Sequence, residues 1–132
     1  MVTSFIKSMH GWELEAAAAK RLAKAAGEES SAGYAIETLQ AVFRQHCTTR
    51  ASERPQGRLA APFFQKPPEY DPANERIVTT SSENPHTTTV ETERTAVLGG
   101  GRYRYQLHKV DGGWLIDSVK YLQEEKWISH TL

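Results

Sequence analysis

Between Arg102 and Leu122, polar and bulky apolar residues alternate on either side of Asp111-Gly112, and that pattern leaves the chain few ways to fold. Alternation with a period of two marks a strand with one face buried. Asp-Gly readily adopts the positive φ values of a two-residue hairpin loop. If Asp111 and Gly112 form that loop, Val110 pairs with Gly113, Leu107 falls opposite Ile116 and Tyr105 opposite Ser118. One face then carries Tyr103, Tyr105, Leu107, Trp114 and Ile116 and is expected to pack on helices. The other carries Arg102, Arg104, Gln106, His108, Leu115, Asp117, Val119 and Tyr121, which is more apolar bulk than a purely solvated face needs.

Upstream, Ile77 to Ser82 and His86 to Leu98 are rich in Thr and Val, so the C-terminal half reads as four antiparallel strands in a meander. The N-terminal half has a different period. Phe5, Met9, Trp12, Ala16, Ala19 and Ala23 recur in steps of four and three, as one buried helical stripe requires, with Ser4 as the expected N-cap and Gly27 as the stop. A second helix, capped by Ser30 or Ser31, carries Ile36, Leu39, Val42 or Phe43, and His46 on one side. The short connection from Glu28 to Gly33 makes the two a hairpin. From Cys47 to Asn74, Pro55, Gly57, Pro62, Pro67, Pro68 and Pro72 break any regular period; one short helix or strand is expected there, with Phe63, Phe64 and Tyr70 as buried anchors. The expected class is α+β: an N-terminal helical hairpin packed on a curved antiparallel sheet of about four strands.

A chain of 132 residues with 39% hydrophobic content suits a single domain over residues 1–132 with one core. Sixteen Lys plus Arg balance sixteen Asp plus Glu, and neither sign forms a long block, which argues against direct nucleic-acid binding and for a protein or small-molecule partner. Cys47 is the only cysteine and no Asn-x-Ser/Thr sequon is present; both fit a reducing cytosol. Lys7 and His10 interrupt the apolar start of the chain, so it lacks the h-region of a signal peptide, and no run approaches the roughly 18 apolar residues of a membrane span. A cytoplasmic location is expected.

The hairpin, the helices and the long strands ending in Arg102-Tyr103-Arg104-Tyr105-Gln106-Leu107-His108-Lys109-Val110-Asp111-Gly112-Gly113-Trp114-Leu115-Ile116-Asp117 resemble the nuclear transport factor 2-like superfamily, where a terminal Leu-x-x-x-Asp-Gly-x-Trp-x-Ile hairpin is common. More narrowly, Met9-His10-Gly11-Trp12-Glu13, Phe43-Arg44-Gln45-His46 and Val90-Glu91-Thr92 look like the immunity-protein branch of that superfamily. The resemblance implies the superfamily's cone-shaped sheet and a protein that binds the toxin domain encoded beside it in a bacterial polymorphic toxin system.

Catalytic and metal-binding arrangements are weaker readings of the residues. His10 and Glu13, spaced i, i+3, are half of a carboxylate-bridged metal site with no matching second half. His46 and Cys47 are neighbours that a helix points about 100° apart, so a structural Cys is the better reading. His108 and Asp117 are diagonal in the expected register and could share a proton, but on the face away from the helices, whereas enzymes resembling this chain hold their acid and base inside the cone. Tyr103, Tyr105 and Ser118 could line an inner pocket, with His46, Arg50 or an acid from the irregular segment supplying the charge. Gly99-Gly100-Gly101 joins two strands and opens no helix, so it is a loop and no phosphate cradle. Lys66 to Pro72 directs the chain.

The function expected is therefore that of an immunity protein and not an enzyme, with no catalytic residue, metal or cofactor. Its toxin-binding residues are expected on the outward face, at Arg104, Gln106, His108, Asp117 and Tyr121, with Glu91 and Glu93 as an acidic edge suited to a basic toxin. A second copy of the chain is the other partner that face could take. The alternative is a small isomerase- or dehydratase-like enzyme, or a ligand-binding domain, which would need a buried carboxylate or histidine near Tyr103 or Tyr105.

Overall fold

The computed structural model describes residues 1–27, 36–95 and 100–132. Helix α1 (Val2–Ala25) buries Phe5, Met9, Trp12 and Ala16 as the stripe requires, with Ile6, Glu13 and Ala17 widening it, while Ala19 and Ala23 are half-buried. Ser4 is not its cap. Val2 is itself a core residue, so the helix begins earlier and the Phe5 N–H reaches the Met1 carbonyl at 3.1 Å. The far end closes at Gly27, whose φ of 72° suits a residue without a Cβ.

Helix α2 (Ile36–His46) buries Leu39, Val42, Phe43 and His46 and packs on α1; its expected cap and the connection before it lie outside the described residues. The short helix expected in the irregular crossing is α3 (Thr49–Ser52), capped by Thr48 Oγ1, which accepts from the Ala51 N–H at 3.1 Å. The rest of the crossing is tied to α1. Glu13 is fully buried, and its two carboxylate oxygens accept from the backbone N–H groups of Gln65 (3.2 Å) and Tyr70 (2.9 Å). His10 Nδ1 donates to the Tyr70 carbonyl at 2.9 Å. The i, i+3 pair that could have been half a metal site is thus a clamp on the backbone of residues 65–70. Tyr70 is fully buried and Phe64 packs against the core, but Phe63 is 39% exposed. It lies over the Arg58 guanidinium at 4.1 Å, a contact that leaves its other face in solvent.

Among the described residues the sheet has five strands in sequence order: β1 (Glu75–Asn84), β2 (Thr87–Arg94), β3 (Gly101–Val110), β4 (Gly113–Gln123) and β5 (Lys126–His130), each antiparallel to the next. Asp111 (φ 50°) and Gly112 (φ 80°) form the expected loop, and Val110 pairs with Gly113 and Leu107 with Ile116. Beyond that point the register shifts. Gln106 pairs with Ser118 and Tyr105 with Val119, so Asp117 is an unpaired bulge residue. The bulge reverses the parity of everything after it in β4: Val119 turns into the core, Ser118 joins Gln106 on the other face, and Tyr121 pairs with Tyr103 on the inner side. It forms where the chain preceding α3 docks on β4, with Cys47 bridging Ile116 and the Thr48 N–H reaching the Ile116 carbonyl at 2.9 Å.

The fifth strand is the element the sequence pattern did not reveal. Gln123 pairs with Lys126 around Glu124 and Glu125, which both have positive φ, of 48° and 69°. Glutamate gives no hairpin signal, because nothing in its side chain favours that conformation. The helices cover the inner face of the sheet, where Tyr103, Tyr105, Leu107, Ile116 and Val119 join Phe5, Met9, Trp12, Leu39 and Phe43 in one core. Trp114 is half-buried at its margin.

Candidate functional site

The outer face of the sheet is uncovered among the described residues, and its side chains form rows across the strands. Arg76, Glu93 and Arg102 make one row, with Arg76 and Glu93 3.0 Å apart and Arg102 3.8 Å from Glu93. Glu91, Arg104 and Lys120 make the next; Glu91 meets Arg104 at 3.2 Å and Arg102 at 3.7 Å. Glu91 and Glu93 are therefore already neutralised by arginines and form no free acidic edge. Arg104 stacks on Trp127 of β5, 4.0 Å from the ring centre, and its Nε is buried without an acceptor among the described residues. Lys120 stands directly opposite Arg104, an unfavourable pairing of like charges for folding alone. Arg104, Lys120, Gln106, Ser118, Thr89 and Glu83 surround a depression of about 110 Å³. Gln106 and His108 lie on this face as expected.

Asp117 and Tyr121 do not. Asp117 is 2% exposed. Thr48 Oγ1 donates to its Oδ1 at 2.8 Å, Arg50 pairs with both carboxylate oxygens, and His108 Nε2 lies 3.8 Å from Oδ2. Burial alone pushes its carboxyl up, but the bonds from Arg50 and Thr48 and the nearby His108 outweigh that and hold it below the usual range. The bulge delivers Asp117 to the chain around α3, where it fastens Thr48 and Arg50 to β4. Tyr121 packs edge-on against His130, 5.5 Å between centres, on the inner side.

The inner side also holds an ionic cluster. Arg94 donates from Nε to Glu75 (2.8 Å), from Nη1 to Glu69 (3.1 Å) and from Nη2 to the Tyr105 hydroxyl (3.3 Å). Glu75 also accepts from Thr92 (2.6 Å) and Tyr105 (2.8 Å). Glu69 also binds Arg58 (2.6 Å) and His130 Nε2 (2.8 Å). Burial pushes the Glu69 carboxyl up, but His130, Arg58 and Arg94 together hold it down at about 2. Burial raises the Tyr105 and Tyr70 hydroxyls. The carboxylate and histidine that a catalytic cone would need beside Tyr103 and Tyr105 are thus present, from Glu69, Glu75 and His130. Two carboxylates face two guanidinium groups, however, and both Glu69 oxygens and both Glu75 oxygens are occupied, so neither acid is free to take a proton from a substrate. Cys47, buried, has its thiol pushed up to about 12, and His46 is lowered by burial and by the N-terminal amine, so that pair offers no nucleophile. Among the described residues, no three His, Cys, Asp or Glu side chains converge where a metal could bind.

A helix-backed, curved antiparallel sheet with one closed inner face and one open outer face is the nuclear transport factor 2-like architecture. The family described as NTF2 fold immunity protein matches residues 1–131, and the chain belongs to that family. No curated protein and no solved structure matches it. No helix among the described residues is long and apolar enough to cross a membrane.

Proposed function

We propose that the protein neutralises a toxin of a bacterial polymorphic toxin system by binding it with the outer face of β2, β3 and β4 and the adjoining Trp127, in the cytoplasm, without cofactor or turnover. The observation that carries this reading is Arg104, stacked on Trp127 and set against Lys120 on a sheet face that nothing among the described residues covers. Arginine and tryptophan are the residues most often found at the energetic centre of protein interfaces. Gln106 and His108 extend the contact, and the Arg76, Glu93, Arg102 and Glu91 rows supply a polar rim whose charges are already matched.

The test is titration of the toxin domain encoded beside this chain against Arg104→Ala, Trp127→Ala and Lys120→Glu. Loss of an anchor costs more than about 2 kcal/mol, a factor of about thirty in Kd, whereas the exposed Lys120 change shifts stability by no more than about 0.5 kcal/mol. If all three variants bind like the parent, the toxin docks elsewhere. If they instead abolish self-association in sedimentation, the face belongs to a homodimer.

A further inference from the structure

We infer that the cavity beside β5 is a binding site for a small monocarboxylate with an apolar body, distinct from the depression on the outer sheet face, with which it shares Ser118. The cavity has a volume of about 480 Å³, within the range of small-molecule sites. Phe43 of α2, Ala51 of α3, Pro55 and Leu132 form its apolar part. Its polar part comes from Arg54, Gln56, Arg58, Ser118 and the chain from Ser129 to Thr131, and among the described residues no Asp or Glu side chain lines it.

Arg58 indicates the ligand's charge. It and Arg94 are the buried guanidinium groups of the inner cluster, and they differ in one respect. Every nitrogen of Arg94 has an acceptor, whereas Arg58 uses only Nη2, on Glu69, and its Nε and Nη1 are buried with no acceptor among the described residues. Buried guanidinium donors without acceptors are costly, and the Arg58 residue forms part of the cavity wall. An acceptor entering from the cavity would complete it. Arg58 is already half-neutralised by Glu69, and Arg54 at the exposed mouth adds one further cation, so the site matches a single negative charge better than the dianion of a phosphate monoester.

The present positions of the Arg58 donors are closed over, and the element able to yield is the turn from Arg54 to Ala61. Its backbone bonds are local ones, Gly57 N–H to Arg54 and Ala60 and Ala61 N–H to Gly57. His130 cannot follow that movement, because Glu69 holds its Nε2 and Tyr103 and Tyr121 flank its ring. The site thus has one rigid wall and one adjustable wall.

The experiment is titration of the isotope-labelled full chain with 2-naphthoate, 2-naphthamide and phenyl phosphate, read by backbone amide chemical shifts. The expected result is binding of the carboxylate with Kd below about 1 mM, shifts centred on Arg54 to Arg58, Ser118 and Ser129 to Leu132, and affinity for the amide and the phosphate at least tenfold weaker. Arg54→Glu, an exposed change, should weaken binding about tenfold, and Gln56→Trp, at an exposed position of the turn that lines the cavity, should block it with the fold intact. No shifts at about 10 mM ligand, shifts elsewhere, equal affinity for the amide, or a preference for the phosphate would each overturn the assignment.

Discussion

Replacing Glu69 by Gln keeps the shape of the inner cluster and removes one of its two negative charges. Glu69 is 7% exposed at its side chain and serves Arg58, Arg94 and His130 at once. Holding its carboxyl down from the ordinary 4.5 to about 2 corresponds to about 3 kcal/mol of folding stability at neutral pH. Breaking one partner of a buried ion pair independently suggests about 3–5 kcal/mol, because the guanidinium groups left behind stay buried. A depressed acid stabilises the fold fully above its unfolded value near 4.5, and that contribution disappears as the pH falls toward 2. Urea unfolding of the parent and Glu69→Gln should therefore differ by about 3 kcal/mol at pH 7 and by only about 1 kcal/mol at pH 3. Acids that share no partner with Glu69, such as Asp117, titrate in both proteins and cancel in the difference. A gap that is absent at pH 7, or that stays constant down to pH 3, would refute the claim that Glu69 is held ionised by its three partners.

Asp117→Arg should destabilise the protein by about 3 kcal/mol in urea unfolding, since it puts a cation in a buried site beside Arg50; unchanged stability would mean that Asp117 faces solvent. The Cys47 thiol, buried and pushed up to about 12, should resist a disulfide reagent in native protein and react on adding denaturant; rapid native reaction would contradict its burial. Replacing Glu124-Glu125 by Asn-Gly should raise stability by about 1 kcal/mol, measured as a higher Tm, because those residues suit positive φ at both positions. Ile116→Ala, at a fully buried position, should cost about 2–5 kcal/mol, and a smaller loss would place β4 in another register.

The hairpin loop, its first pairs and helices α1 and α2 were legible because each rests on local rules: Asp111-Gly112 for the turn, period two for β3, period 3.6 for α1. The error in β4 has a tertiary cause. Nothing near Asp117 announces a bulge; it arises because Thr48 and Arg50, almost seventy residues earlier, bind that carboxylate. One missed residue then exchanged the faces of Ser118, Val119 and Tyr121. The inner ionic cluster left one usable trace. Val90, Thr92 and Arg94 share a parity, so burying the first two commits Arg94 to the interior, where it must find carboxylates. Which acids answer could not be read, since Glu69 sits in a segment without a period and Glu75 at the first residue of a strand. Trp127 and His130 were lost with β5 itself.

Strand β5 has five residues, and alternation sends Trp127 to the outside under Arg104 and His130 to the inside against Glu69. It hangs on a turn of two glutamates in a conformation their side chains do not favour, so its position depends on what grips it from either side. The strand therefore works as a rivet through the sheet, its heads being a tryptophan on one surface and a histidine on the other. Whatever loosens one head changes the seat of the other, and the open and closed faces of this small sheet share a single fastening.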